Sequence, residues 1–175
     1  MEKIINAKDG ETFEIAGIEF IKFPAVDGKV PAVMKDIAFR STFGDNNDLR
    51  ESPILKKLET DILPKIIAAI GEENICTVHT DLTTLCGLKT YGVMESKISL
   101  PTLDFYRANV EIFDRHPASD WWWLATPESC KPHANDYWTL CVSPSGGIYY
   151  DNYSGGSGVR PFLLFESSIF ESSEE

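Results

Sequence analysis

The chain has 175 residues, 43% of them apolar and 11% aromatic, and a net charge of −11 from 27 acids against 16 bases. That length and apolar content suffice for one hydrophobic core without staples and argue against a disordered chain. The acidic balance argues against direct nucleic-acid binding, which needs clustered Lys and Arg, and no apolar run approaches the roughly 20 residues of a membrane span.

The first forty residues read as β structure. Phe13 and Ile15 alternate with polar neighbours, Ala16-Gly17 turns, and Ile18, Phe20, Ile21 and Phe23 continue with a phase slip near Ile21 that suggests a bulge. Asp27-Gly28 is a hairpin signal, with residues 30–34 as the returning strand. Residues 41–51 read as a polar loop. Ser52-Pro53 then opens a helix, the serine as cap and the proline where its missing N–H costs nothing. Ile54, Leu55, Leu58, Ile62 and Leu63 recur at helical spacing, Pro64 predicts a break or kink, and Gly71 a stop.

Residues 75–78 predict a short strand and residues 105–113 a second helix, capped near Thr102. Strands are expected at 121–125, 137–142, 148–150 and 159–165, separated by turn-rich stretches. Strands, then helices, then strands predict an α+β fold: a compact single domain with an antiparallel sheet and two main helices. The domain is expected over residues 1–165. Residues 166–175, with four acids and no base, read as a serine-rich mobile tail, unless Ile169 and Phe170 dock. The N-terminal residues lack the build of a signal peptide, and Cys76, Cys86, Cys130 and Cys141 are too scattered for a disulfide scaffold. Both features point to a cytoplasmic chain with reduced thiols.

The most informative words are Trp121-Trp122-Trp123-Leu124-Ala125-Thr126-Pro127 and Gly158-Val159-Arg160-Pro161. In an extended strand Trp122 and Leu124 face one side, and Trp121, Trp123 and Ala125 the other. Two readings stand for the second side. It is covered by the 128–136 loop, or Trp121 and Trp123 join Tyr149, Tyr150 and Tyr153 in an exposed platform for a protein or sugar. Arg160, between apolar residues, requires a partner when buried, and Asp120 is the candidate carboxylate.

These two words, with the 46–52 stretch before the first helix, resemble a phage- and gut-bacterium-associated domain family of unknown function. Its members carry a tryptophan-rich W-L-R-[ST]-P word and a G-V-R-P word. Ala125 stands where that family has arginine, so no role of that arginine carries over. The G-V-R-P word is also similar to the closing strand of C-type-lectin-like folds, which implies a domain with its ends together.

For chemistry, Cys76-x-x-His79 and Cys130-x-x-His133, with Cys86 and Cys141, offer zinc ligands only on paper, because a strand at 75–78 points Cys76 and His79 apart. His79, His116 and His133 supply no recognisable catalytic signature beside any thiol. The expectation is a non-enzymatic protein with no metal and no cofactor, acting by protein–protein contact through an acidic and aromatic surface. Its partner would be a host or phage protein with a basic surface. An inhibitor of a nucleic-acid-handling defence protein such as a CRISPR-Cas nuclease is the sharpest form of that reading. A lectin-like module binding a glycan or receptor is the alternative, with a zinc or Cys/His enzyme behind it.

Overall fold

Phe13 and Phe20 face each other across the first hairpin, and much of the fold is laid on the sheet they begin. In the computed structural model, which describes residues 5–171, the strands in chain order are β1 (Thr12–Ile15), β2 (Ile18–Lys22), β3 (Lys29–Met34), β4 (Phe39–Ser41), β5 (Val78–Asp81) and β6 (Val93–Ser96). They continue with β7 (Trp122–Pro127), β8 (Trp138–Val142), β9 (Ile148–Asn152), β10 (Ser157–Val159) and β11 (Phe162–Glu166). Helices α1 (Pro53–Lys57) and α2 (Leu63–Ile70) are joined by a π-helical stretch, Leu58–Ile62, and α3 (Leu103–Ala108) is followed by α4 (Val110–Asp114).

One sheet has the order β1-β2-β3-β11, the second the order β4-β10-β7-β8-β9, and β5 pairs with β6 as a separate ribbon. All pairs are antiparallel except β10 with β7. The architecture is therefore a mixed α and β fold dominated by antiparallel pairing, with a few short helices. The central strands of both sheets bury apolar side chains on both faces. On one side Phe20, Val30, Ala32, Leu163 and Phe165 of the first sheet pack with Trp123 and Cys141 of the second, closed by Ile54, Leu58, Ile62 and Ile66 of the first helical run. On the other side Ile21, Phe23 and Val33 pack with Trp122, Leu124, Leu140 and Val142, closed by Leu103, Tyr106 and Phe113.

This double covering explains the phase slip at Ile21. Phe20 and Ile21 are both fully buried, one in each half of the core, and the β1–β2 register runs unbroken from Thr12 to Ile15. The expected bulge is replaced by a strand buried on both faces at Phe20 and Ile21.

Local signals place several elements. Ala16 and Gly17, then Asp27 and Gly28, adopt positive φ in the two turns that start the sheet. The Ser52 hydroxyl accepts the Ile54 N–H at 3.1 Å and donates to the Phe43 carbonyl, so one side chain caps the helix and ties down the loop before it. A cap of this kind contributes about 1 kcal/mol. Ahead of Pro64 the ladder widens into the π-helical stretch, where the Leu63 N–H reaches back to the Leu58 carbonyl, and a fresh helix then runs to Gly71.

Three expectations require correction. The helix expected over 105–113 starts at Leu103 and is two short helices, broken at Asn109. The strand expected over 159–165 is split by Arg160-Pro161 into β10 of one sheet and β11 of the other. The mobile tail expected from residue 166 is structured through Glu171: Glu166 pairs with Lys29, Ile169 and Phe170 are buried, and Ile5 donates to the Ile169 carbonyl at 2.7 Å. Those two side chains cover the edge of the core beside Phe13, which favours order over freedom. Residues 172–175 of the expected tail lie outside the described residues.

Candidate functional site

The three tryptophans separate by strand alternation. Trp122 is 2% exposed and packs on Tyr106 and Phe113 in one half of the core. Trp123 is fully buried in the other half, its ring 5.4 Å from Phe43 and its indole N–H donating to the Ser41 carbonyl at 2.9 Å. Its place in an exposed platform is therefore corrected. The chain covering it comes from residues 41–43, and its N–H finds a backbone acceptor that alternation alone does not reveal.

Trp121, just before β7, remains 39% exposed and packs edge-on against Tyr149 with centroids 5.1 Å apart. Tyr150 points to the opposite face of β9 and packs on Trp138 at 5.7 Å. Tyr153 is half-buried, set against Tyr137 and the first half of the core. The expected platform thus becomes two aromatic pairs on either side of β9, with Tyr153 belonging to neither. Because β9 is the outer strand of its sheet, its far backbone edge has no neighbouring strand among the described residues. Along that edge Ile148, Tyr149 and Tyr150 are all exposed, with no lysine or proline in the strand to blunt it.

A cavity of about 340 Å³ opens beside this strand, lined by Trp121, Tyr149, Tyr150, Asp120, Asp151 and Arg40 among others. Asp120 is paired with Arg40, which also donates to the Gly156 carbonyl at 3.0 Å. The expected Asp120–Arg160 pair is accordingly corrected. Arg160 lies on the opposite side of the sheet, as strand alternation after Val159 requires, and its Nε and Nη2 donate to the carbonyls of Met34, Lys35 and His116. Gly158 fits the same crossing, for a Cβ there would lie 2.6 Å from Ile37 Cδ1.

The Cys/His constellation is not assembled. Cys76 donates to Glu166 at 3.2 Å, His79 lies 3.3 Å from Glu95, His116 Nε2 is 2.7 Å from the Gly10 carbonyl, and His133 is exposed. Among the described residues no three His, Cys, Asp or Glu side chains gather in ligating geometry. All four cysteines are free, and only Cys86 is exposed. Hydrogen bonding with Ser129 and Thr84 holds its thiol below the ordinary value.

Burial, with Glu166 beside it, pushes the Cys76 thiol up to about 11, and burial pushes Cys141 up to about 12. A pH dependence follows. The unfolded thiols ionise near 9.0 whereas the folded ones keep their protons, so their stabilisation is complete below about pH 9 and is lost as pH rises toward 12. Tyr91, pushed up by burial, acts in the same direction, and Arg160, pushed down to about 10 by burial, opposes it only above that pH. The urea midpoint is expected to fall between pH 8 and 10 and to fall less in a Cys76→Ala, Cys141→Ala double variant. A flat midpoint in the parent chain would overturn this.

Sequence reasoning passed over Trp138, Ile148 and Arg40. Only the strand order places Trp138 and Ile148 at or next to the free edge, and Arg40, on β4 at the other end of the sheet, joins the cavity through Asp120, although the adjacent tyrosines at 149 and 150 mark the region. Comparison of the chain with protein-family models, curated proteins and solved structures finds no match. Among the described residues no helix is long and apolar enough to cross a membrane.

Proposed function

We propose that this chain is a non-catalytic binding module whose partner protein docks along β9, adding an extended segment to its free edge. The observation that carries the proposal is the open strand Ile148-Tyr149-Tyr150, exposed and flanked on its two faces by Trp121–Tyr149 and Trp138–Tyr150. Strand addition satisfies the unpaired backbone groups, while aromatic pairs on either face give the added segment side-chain contacts. Asp120 and Asp151 beside the strand, together with the net charge of −11, favour a partner with a basic surface. A nucleic-acid-handling defence protein with a basic groove, such as a CRISPR-Cas nuclease, is the narrower form of the proposal, with the cytoplasm as its setting.

The test is capture from host lysate by tagged protein, in parallel with a Tyr150→Lys variant and a control variant of an exposed residue remote from β9, Glu59→Gln. A partner held by the parent and the control, weakened about tenfold or more by Tyr150→Lys and released by salt, supports the reading. Capture that ignores Tyr150→Lys sinks it.

A second reading rests on the cavity itself. An aromatic wall of Trp121 and Tyr149 with Asp120, Asp151 and Arg40 around it suits a stacked sugar ring whose hydroxyls meet charged groups. The β11–β3 pairing and the packing of Phe170 beside Phe13 support the C-type-lectin-like form of the fold that this reading favours. A glycan array separates the two, with Trp121→Ala as the control. Trp123 is unsuited to that purpose because its removal strikes the core.

A further inference from the structure

Arg160 is 1% exposed, yet it forms no ion pair with any described residue. Nε and Nη2 are used by three backbone carbonyls at 2.8–3.1 Å, and the guanidinium lies over Trp122, 4.9 Å from its centroid. Nη1 has no acceptor among the described residues. Carbonyl dipoles, an indole face and the nearby Asp36 soften the burial of a cation, but no carboxylate of a described residue pairs with it directly.

Arg160 also lines a cavity of about 280 Å³, together with Trp122, Tyr106, Ser143, Ser145 and Asp114. Its wall is stitched in place: the Tyr106 hydroxyl donates to the Gly146 carbonyl at 2.7 Å, and the Ser143 hydroxyl accepts the Gly147 N–H at 3.0 Å. Asp114 is exposed, so it stands at the rim while Arg160 forms the floor. The two opposite charges share one cavity without pairing to each other, and the Asp114 carboxylate accepts no hydrogen bond from a described residue.

We propose that this cavity binds a small zwitterion of the α-amino-acid class, its carboxylate on Arg160 Nη1 and its ammonium on Asp114. Each end of such a ligand meets the opposite charge, whereas a bare anion would leave Asp114 facing it. The volume is at the small end for ligand sites, which limits the class to compact molecules. The Ser143 and Ser145 hydroxyls, 3.0 Å apart, offer further hydrogen bonds along the cavity wall. This inference is independent of the β9 surface, whose residues it does not use.

The test is a titration of ¹⁵N-labelled protein with each natural α-amino acid at millimolar concentration, alongside acetate and methylammonium as half-ligands. At least one amino acid is expected to saturate shifts at Arg160 Nε–H and the amides of Ser143, Ser145, Gly146 and Gly147, binding about tenfold or more tightly than either half-ligand. Asp114→Asn, at an exposed position, is expected to erase that advantage over acetate. Arg160→Lys, which retains the charge, is expected to weaken binding by about tenfold or more. Silence of these amides toward every amino acid overturns the proposal. So does binding that survives Asp114→Asn unchanged.

Discussion

Trp123→Ala is expected to destabilise the fold by about 3–5 kcal/mol, the range for emptying a buried aromatic site. The side chain is fully buried, packs edge-on against Phe43, and supplies the donor for the Ser41 carbonyl. Truncation removes the contacts and the hydrogen bond together. It also loosens the 41–43 stretch, which Ser52 ties to the helix start through Phe43. The adjacent Trp121→Ala, at a position 39% exposed, is expected to cost within about 1 kcal/mol. Urea unfolding of the pair measures the contrast directly. Equal losses from the two substitutions would contradict the assignment of one indole to the core and the other to the surface.

Arg160→Met is expected to cost about 3–5 kcal/mol, although methionine fills much of the same volume. Replacing a buried ion pair by apolar residues can be neutral because both charges leave together. Here the partners are the carbonyls of Met34, Lys35 and His116, which remain after the substitution and lose their donors. Arg160→Lys retains the charge, but one ammonium lacks the planar fork that spans three acceptors, so an intermediate loss is expected. Thermal or urea unfolding reads both variants. A methionine variant as stable as the parent would show that these bonds contribute nothing net.

The elements that were legible in the sequence are those decided locally. Asp27-Gly28, Ser52-Pro53 and Gly71 each fix a turn, a start or a stop through the chemistry of one or two residues, and the structure uses them so. The side-to-side alternation of Trp122 and Trp123 was legible as well. What alternation cannot reveal is whether a second layer covers the far face. That depended on Phe43 and Ser41, eighty residues earlier. The same limit hid the true partners of Arg160 and Asp120. Each is met by a distant strand or its flanking loop: Arg160 turns to the face opposite Val159, and Asp120 pairs with Arg40 of β4 instead. Only half of the β5–β6 ribbon is legible. The sequence predicts a strand over residues 75–78, but β5 starts at Val78, and its partner β6 carries too short a pattern to stand out.

The division of residues 157–166 between the two sheets has a consequence for how the chain is made. Leu163 pairs with Ala32 and Gly158 with Arg40, so segments synthesised early wait for ones synthesised late. A nascent chain on the ribosome reaches β9 with both sheets still lacking a member and Phe20, Ile21 and Trp123 without their full cover. Translation therefore runs far ahead of consolidation, and the exposed aromatics of the growing polypeptide are natural clients for a holding chaperone until residue 166 has been added.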